Sequence, residues 1–226
     1  IWKYGDPESH DLRHALADHH GVSTANIVIG EGIDGLLGVA ARLIVEPGVE
    51  AVMPDGAYPT FALHITNLGG SVAKVPYVDD FESIDGLLNE TSKRDAAILY
   101  FTNPDNPMGT FWEKGEVERL ISGVPDGAAL FFDEAYCEFA DPDALPPVDV
   151  SNPQVIRFRT FSKAYGMAGA RIGYVLAHEE VVAQMNKVRN QYGINRVGQI
   201  GALAALQNNE WLEQVRQRTA EGRERI

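Results

Sequence analysis

The chain has 226 residues, 45% of them hydrophobic and 23% charged, and its 19 Lys and Arg against 32 Asp and Glu give a formal net charge of −13. So acidic a balance, with no Lys/Arg-rich stretch, argues against nucleic-acid and membrane-surface partners, whose phosphates it would repel. Apolar runs fall far short of the roughly 18 residues of a membrane span, no signal-peptide pattern opens the chain, and the single cysteine, Cys137, excludes an internal disulfide and fits a reducing, cytoplasmic setting.

In chain order, a helix end falls at Asp18-His19-His20-Gly21. Beta-branched or apolar runs bounded by Gly, Pro and Asp then predict strands at 27–29, 51–53, 72–75, 96–101, 129–132, 155–158 and 173–175. Amphipathic stretches at 32–45, 59–68, 84–90, 114–122 and 166–170 predict the intervening helices. This alternation predicts an α/β fold of three layers, αβα, around a mostly parallel central sheet. From about residue 179 the pattern is helical alone, at 180–188, 197–207 and 210–226, with Asn208-Asn209 as a break. No repeat, low-complexity segment or flexible linker divides the chain. It opens at Ile1 and ends inside a charged, helix-patterned stretch without a Gly or Pro stop, which reads as a piece truncated at both ends.

Ligands of open α/β sheets sit outside the carboxyl ends of the strands, so the residues after each run carry the chemistry. After the first run, Gly30-Glu31-Gly32-Ile33-Asp34-Gly35 opens a helix and has the spacing of a dinucleotide fingerprint, with Asp55 about twenty residues on. Its backbone amides at a helix N-terminus suit any phosphate, and a plain helix start is the alternative. After residue 101 comes Thr102-Asn103-Pro104-Asp105-Asn106-Pro107-Met108-Gly109, a rigid turn offering an amide. After residue 132 comes Asp133-Glu134-Ala135-Tyr136, where a buried carboxylate suits the ring nitrogen of a pyridine cofactor. After residue 158, Thr160-Phe161-Ser162-Lys163 runs to Arg171: hydroxyls and a bidentate cation for a phosphate, beside an amine among small and aromatic residues. An NAD reading leaves Lys163, Asp133 and Asn106 without a role. Pyridoxal phosphate uses all of them.

These segments, with Tyr4-Gly5-Asp6-Pro7 and Ala57-Tyr58-Pro59-Thr60-Phe61, resemble the fold-type I pyridoxal-phosphate aminotransferases, most closely the histidinol-phosphate aminotransferase branch. The resemblance spans nearly the whole chain; Gly35 departs from it, standing where the family more often has Glu. It implies an amino-acid biosynthetic transaminase, with Lys163 forming the Schiff base and moving protons. Asp133 pairs with the ring nitrogen, Tyr136 and Asn106 hydrogen-bond the ring hydroxyl, and Tyr58 stacks on the ring. Thr160, Ser162, Arg171 and the amides of the loop Gly32, Ile33 and Asp34 hold the phosphate, while Tyr4 reaches the phosphate of a neighbouring subunit in a homodimer with composite sites. It further implies a large cofactor domain at 1–207, a helix at 208–226 leading to a small domain with the substrate-binding arginine, and transfer between an amino acid or amino-alcohol phosphate and a 2-oxo acid. A phosphothreonine-type decarboxylase and a non-catalytic cofactor-binding domain are the alternatives. No metal site is expected.

The remaining features read as structural. His19 and His20 suit a solvated helix end, Cys137 a small packed residue, Trp2, Trp112 and Trp211 packing or a dimer surface, and the acidic run Asp79-Asp80-Phe81-Glu82 a loop and helix start or, less readily, a partner contact.

Overall fold

A computed structural model of the protein describes residues 2–225. Its elements run α1 (His10–His20), β1 (Ile27–Gly30), α2 (Gly32–Ile44), β2 (Glu50–Pro54), α3 (Thr60–Asn67), β3 (Ser71–Val75), α4 (Ile84–Arg94), β4 (Ile98–Thr102), α5 (Lys114–Gly123), β5 (Ala129–Asp133), β6 (Val155–Thr160), β7 (Gly173–Leu176), α6 (Glu179–Val188), α7 (Arg196–Leu206) and α8 (Asn209–Arg223). All seven expected strands are present and form one sheet in the order β1-β7-β6-β5-β4-β2-β3.

Neighbours from β3 through β6 pair in parallel, whereas β7 runs antiparallel to both β6 and β1. A parallel return needs a crossover, usually a helix. The segment between β6 and β7 contains only a single 3-10 turn, Ala168–Ala170, so β7 folds back beside β6. The helix expected at 166–170 is thus corrected to that turn: Gly166 has φ +72° and Arg171 φ 56°, both incompatible with a continuing right-handed helix.

Side chains of a strand alternate between faces, and here both faces are covered, which is why the strands read as unbroken apolar runs. Ile98, Tyr100 and Phe131 pack with Leu36 and Leu37 of α2 and Phe61 of α3 on one side. Leu99, Phe101, Leu130 and Phe132 pack with Leu87 of α4 and Val117 and Leu120 of α5 on the other. At the β1–β7 end, Ile27, Ile29, Tyr174 and Leu176 are covered by Leu12 and Leu16 of α1 and Ala202 and Leu206 of α7. The three layers of the expected fold are present. No helix of the described residues is long and apolar enough to cross a membrane.

Two local readings change, and a third gains detail. α4 continues past residue 90 to Arg94 because Thr91 is buried and bonds back to the Leu87 carbonyl (2.7 Å), with Asp95 closing the helix in the left-handed region. His20 is no solvated charge: its Nε2 lies 3.0 Å from Tyr174 Oη, and burial, with Arg159 nearby, pulls its pKa down to about 3. Glu82 lies at a loop and helix start as expected, next to the Ser83 cap of α4, and is 1% exposed.

The structure also contains a buried ion cluster the sequence reading did not anticipate. Glu134, just beyond β5, is fully buried and receives Arg157 Nε (2.8 Å) and Nη2 (2.6 Å) together with Arg159 Nε (3.0 Å) and Nη2 (3.2 Å). The remaining Arg157 donors reach the carbonyls of Pro147 and Pro146. Burial opposes ionisation of Glu134, but the two guanidiniums outweigh it and hold its pKa at about 2.

Glu134→Gln should therefore leave two guanidiniums undercompensated and lower stability by about 3–5 kcal/mol, a fall in Tm on the order of 10 °C by calorimetry. Because the folded pKa lies below the ordinary carboxylate value, the wild-type contribution is present at neutral pH and is lost as pH falls from about 4.5 toward about 2. The variant should lack that acid limb.

Candidate active site

The site follows from register. Thr102 at the end of β4 lies opposite Asp133 at the end of β5, Asp133 opposite Phe158 of β6, and Thr160 at the end of β6 opposite Gly173. Three chain segments therefore leave the sheet at one level, and the loops that follow enclose an open cleft of about 580 Å³. From β4 come Thr102, Pro104 and Asn106; from β5, Asp133, Ala135 and Tyr136; from β6, Thr160, Ser162 and Lys163. Ile33 and Asp34 from the start of α2, Tyr58 and Arg171 complete the lining. Ten of the twelve expected site residues meet here.

Gly32 and Tyr4 are the two that do not line the cleft. Gly32 stands directly behind it: its φ is +80°, and a Cβ there would come within 2.7 Å of Arg171 Nη2. Only glycine lets the guanidinium lie against the first turn of α2. Tyr4 is 83% exposed and touches Tyr192, ring centroids 5.3 Å apart, outside the cleft.

One end of the cleft is cationic and rich in donors. The first turn of α2 supplies unpaired backbone N–H groups and the positive end of the helix dipole. Arg171, in the left-handed region, is braced by bonds from Nη1 to the Ala168 carbonyl (3.0 Å) and from Nη2 to the Glu31 carbonyl (3.5 Å). The Asp34 carboxylate, which would oppose an anion, is engaged by His64 Nε2 at 3.1 Å. Thr160 departs from the simple donor expected of it: its hydroxyl donates to the Ile172 carbonyl (3.2 Å) and accepts from Ser162 N (3.1 Å), bracing the loop that carries Ser162 and Lys163.

The other end centres on Asp133, 5% exposed at the floor of the cleft. Its Oδ2 accepts from Tyr100 Oη (2.9 Å) and its Oδ1 from Ala135 N (2.9 Å). A carboxylate has about four acceptor positions, so two bonds leave capacity toward the cleft. Burial raises its pKa to about 6 despite those two bonds. Tyr100 is itself held by stacking on Phe61, centroids 4.5 Å apart and planes within 10°. Lys163 Nζ lies 5.0 Å from the centre of the Tyr136 ring, which places amine, phenol and carboxylate around one space.

Sequence reading passed over Tyr100 and His64, one hidden as the central letter of an apolar strand run and the other on a helix; no local pattern marks either. Asp55, the acid that completed the dinucleotide spacing, is paired with Lys74 at 3.1 Å and does not line the cleft. Among the described residues there is no cluster of His, Cys, Asp and Glu able to hold a metal ion.

Fold and cleft together define an α/β domain with an anion end, a buried carboxylate and a free amine at the carboxyl edge of a parallel sheet. The family described as aminotransferase class I and II matches residues 1–226, and the chain belongs to that family. Histidinol-phosphate aminotransferase 2 of Carboxydothermus hydrogenoformans is 34% identical over 228 residues, covering 97% of this chain and 62% of that protein. The crystal structure of histidinol-phosphate aminotransferase from Sinorhizobium meliloti in complex with pyridoxal-5'-phosphate matches with a TM-score of 0.97 at 49% identity, over 100% of this chain and 62% of the other. L-threonine-O-3-phosphate decarboxylase from Porphyromonas gingivalis shares the fold, with a TM-score of 0.81 at 20% identity over 94% of this chain and 66% of that one. The chain thus spans about three fifths of the length of its first two relatives.

Two measurements probe this geometry directly. Because the folded pKa of Asp133 is raised, its ionisation opposes folding; the ligand-free protein should gain about 3 kcal/mol from this group as pH falls from above about 6 to below 3.8, a gain that Asp133→Asn removes from the denaturation profile. Gly32→Ala should cost about 1–3 kcal/mol through its left-handed backbone and displace Arg171, weakening inorganic phosphate binding measured by calorimetry.

Proposed function

We propose that this chain is the cofactor-binding part of a pyridoxal-phosphate aminotransferase acting on a histidinol phosphate-like amino-alcohol phosphate or an amino acid, with a 2-oxo acid as acceptor. The observation that carries the reading is the convergence of Lys163, Asp133 and Arg171 on one cleft. The donor set fits the cofactor. A dianionic phosphate suits Arg171, the Ser162 hydroxyl and the amides of Ile33 and Asp34 at the start of α2. A protonated ring nitrogen suits Asp133, whose pKa burial raises despite Tyr100, the Ala135 amide and the charge of Lys163.

Bound pyridoxal phosphate supplies an electron sink that stabilises negative charge at the substrate alpha carbon. The rest is the work of side chains. Lys163 would anchor the cofactor through its amine, and its Nζ would hold and move a proton at the substrate alpha carbon. Ionised Asp133 would hold a proton on the ring nitrogen. Tyr100 fixes that carboxylate from below, and Asn106 and Tyr136 would donate to the ring hydroxyl. Tyr58, 40% exposed at the mouth, would cover the ring face and limit water there. Thr160 positions Ser162 and Lys163 rather than binding on its own.

The partition into a cofactor domain at 1–207 and a connecting helix at 208–226 is part of this proposal. It is supported by α7 burying Ala202 and Leu206 while α8 contributes no buried residue. A homodimer is supported by the exposed Trp2 (89%), Tyr4 (83%), Tyr192, Val197 and Ile200, an apolar surface that suits a second copy, with Tyr4 reaching that copy's phosphate site. Cytoplasmic localisation accords with the unpaired, buried Cys137.

The test is a visible absorption spectrum of the full-length protein with pyridoxal phosphate, followed by borohydride and peptide mapping. The expected result is a visible band fixed onto Lys163 and absent from Lys163→Ala, with turnover of histidinol phosphate and 2-oxoglutarate reduced on the order of 10²–10⁴-fold in that variant. Absence of the band from wild type, or trapping at another lysine, overturns the reading. Release of carbon dioxide in place of amino transfer selects the decarboxylase; cofactor binding without turnover of any amino donor selects a non-catalytic domain.

A further inference from the structure

The acidic run ahead of α4 divides its residues between solvent and core. Asp79 and Asp80 take left-handed backbone, φ 51° and 65°, in a tight turn where Val78 and Phe81 exchange backbone hydrogen bonds of 2.9 and 3.0 Å. The next residue, Glu82, is thereby turned inward under the end of β4. Its Oε1 lies 2.8 Å from Thr102 Oγ1, and that same hydroxyl lies 2.6 Å from Asp105 Oδ1.

A threonine hydroxyl has one hydrogen and can donate across only one of those two contacts. The other must be bridged by a carboxyl hydrogen. Asp105, also buried, has the richer set of donors, accepting from Met108 N (3.1 Å) and from Tyr77 Oη at 3.3 Å to each oxygen. Glu82 has only an additional bond from Thr102 N (3.3 Å), and its Oε2 has no partner. An orphaned oxygen costs far less on a neutral acid than on a buried carboxylate. The proton therefore sits on Glu82, which donates to Thr102, which donates to Asp105. Burial and the neighbouring Asp105 both push Glu82 well above the ordinary carboxyl range, and the titratable groups around it, Asp105, Asp133, Tyr77 and Tyr100, are all acids.

Asp105 is the pivot of the turn that carries Asn106. Its N–H donates to the Thr110 carbonyl (2.9 Å), its own carbonyl accepts from Gly109 N (3.2 Å), and its side chain holds Met108 N. We propose that Glu82 is a positioning residue, a buried neutral acid whose proton, passed through the Thr102 hydroxyl, locks Asp105 and so aims Asn106 into the cleft. This role rests on the reading of the cleft as a pyridoxal phosphate site.

The experiment has two arms on the full-length protein. Without cofactor, in mildly alkaline buffer where Asp133 (about 6) and Glu138 (about 7) are ionised, the infrared spectrum should show a protonated-carboxyl band that Glu82→Gln removes. With pyridoxal phosphate, Glu82→Gln, whose amide still donates toward Thr102, should retain wild-type affinity within about threefold. Glu82→Ala should weaken binding about tenfold, the worth of one buried hydrogen bond, and move the pH midpoint of the bound cofactor's visible band in the direction of Asn106→Ala. Combined with Asn106→Ala it should add nothing further. Thr102→Val cuts the relay with Glu82 in place and should give the same shift, which keeps the test decisive if Glu82→Ala does not fold. A missing carboxyl band, or a wild-type midpoint in Glu82→Ala and Thr102→Val, overturns the proposal. Failure of wild type to bind the cofactor while the carboxyl band is present removes the cofactor reading, and the positioning role with it, but not the protonation of Glu82.

Discussion

The Glu134 carboxylate is the fixed point of the functional edge. It begins the chain segment that leaves β5, and its two oxygens are held by two arginines of β6. That joint sets the loop after β5, which carries Ala135 and Tyr136, against the strand that leads to Thr160, Ser162 and Lys163. A hydrophobic contact in the same place would exclude water as well, but would not fix direction; four N–H donors converging on one planar carboxylate do. Buried ion pairs are weak evidence of net stability, and their better-attested use is to define a unique arrangement. At the edge of a cleft where an amine, a phenol and a second carboxylate must meet within a few ångströms, arrangement is what matters.

Among the buried acids near that edge, Glu134, Asp133 and Glu82 are driven to different protonation states by their surroundings. Glu134, facing two guanidiniums, stays ionised down to about pH 2. Asp133, with a phenol and a backbone amide but no guanidinium, sits near 6. Glu82, with an orphaned oxygen and only acids around it, is neutral. Only the middle one lines the cleft. Asp133 thereby keeps acceptor capacity toward the cleft, Glu134 works as a structural joint, and a proton on Glu82 spares the Glu82–Asp105 pair the repulsion of two ionised carboxylates in a low-dielectric space.

The sheet and most of the cleft were legible in the sequence because parallel strands buried on both faces read as short apolar runs, and the residues after those runs are the ones that line the crevice. Asp133, Asn106 and Lys163 could be found by looking at strand ends alone. What stayed hidden depends on contacts between segments distant in sequence. Tyr100 is one more aromatic letter in a strand; only its pairing with Asp133 across 33 positions gives it a role. Arg157 and Arg159 look like polar interruptions of an apolar strand until Glu134 is placed beside them. Glu82 was grouped with Asp79 and Asp80 because composition cannot show that two left-handed residues turn the third acid inward. The helix expected at 166–170 failed for a related reason: glycine and apolar spacing suggested a helix, whereas the backbone is committed to presenting Arg171 to the α2 terminus.

That commitment separates the two ends of the cleft physically. The anion end is preformed: the α2 terminus is aimed by its packing on the sheet, Gly32 leaves room for the guanidinium, and Arg171 is braced through carbonyls, with no ion pair to an acid among the described residues. The ring end is poised rather than saturated, since Asp133 keeps acceptor capacity and a raised pKa that a further positive charge would bring down. A ligand with a phosphate at one end and a basic ring nitrogen at the other meets complementary charge at both, and the phosphate end needs no reorganisation to receive it. A dinucleotide would satisfy the first end and leave the ionised Asp133 facing a ring with no proton to give. The glycine loop alone suits any phosphate, and it is the buried carboxylate across the cleft that separates the two kinds of ligand.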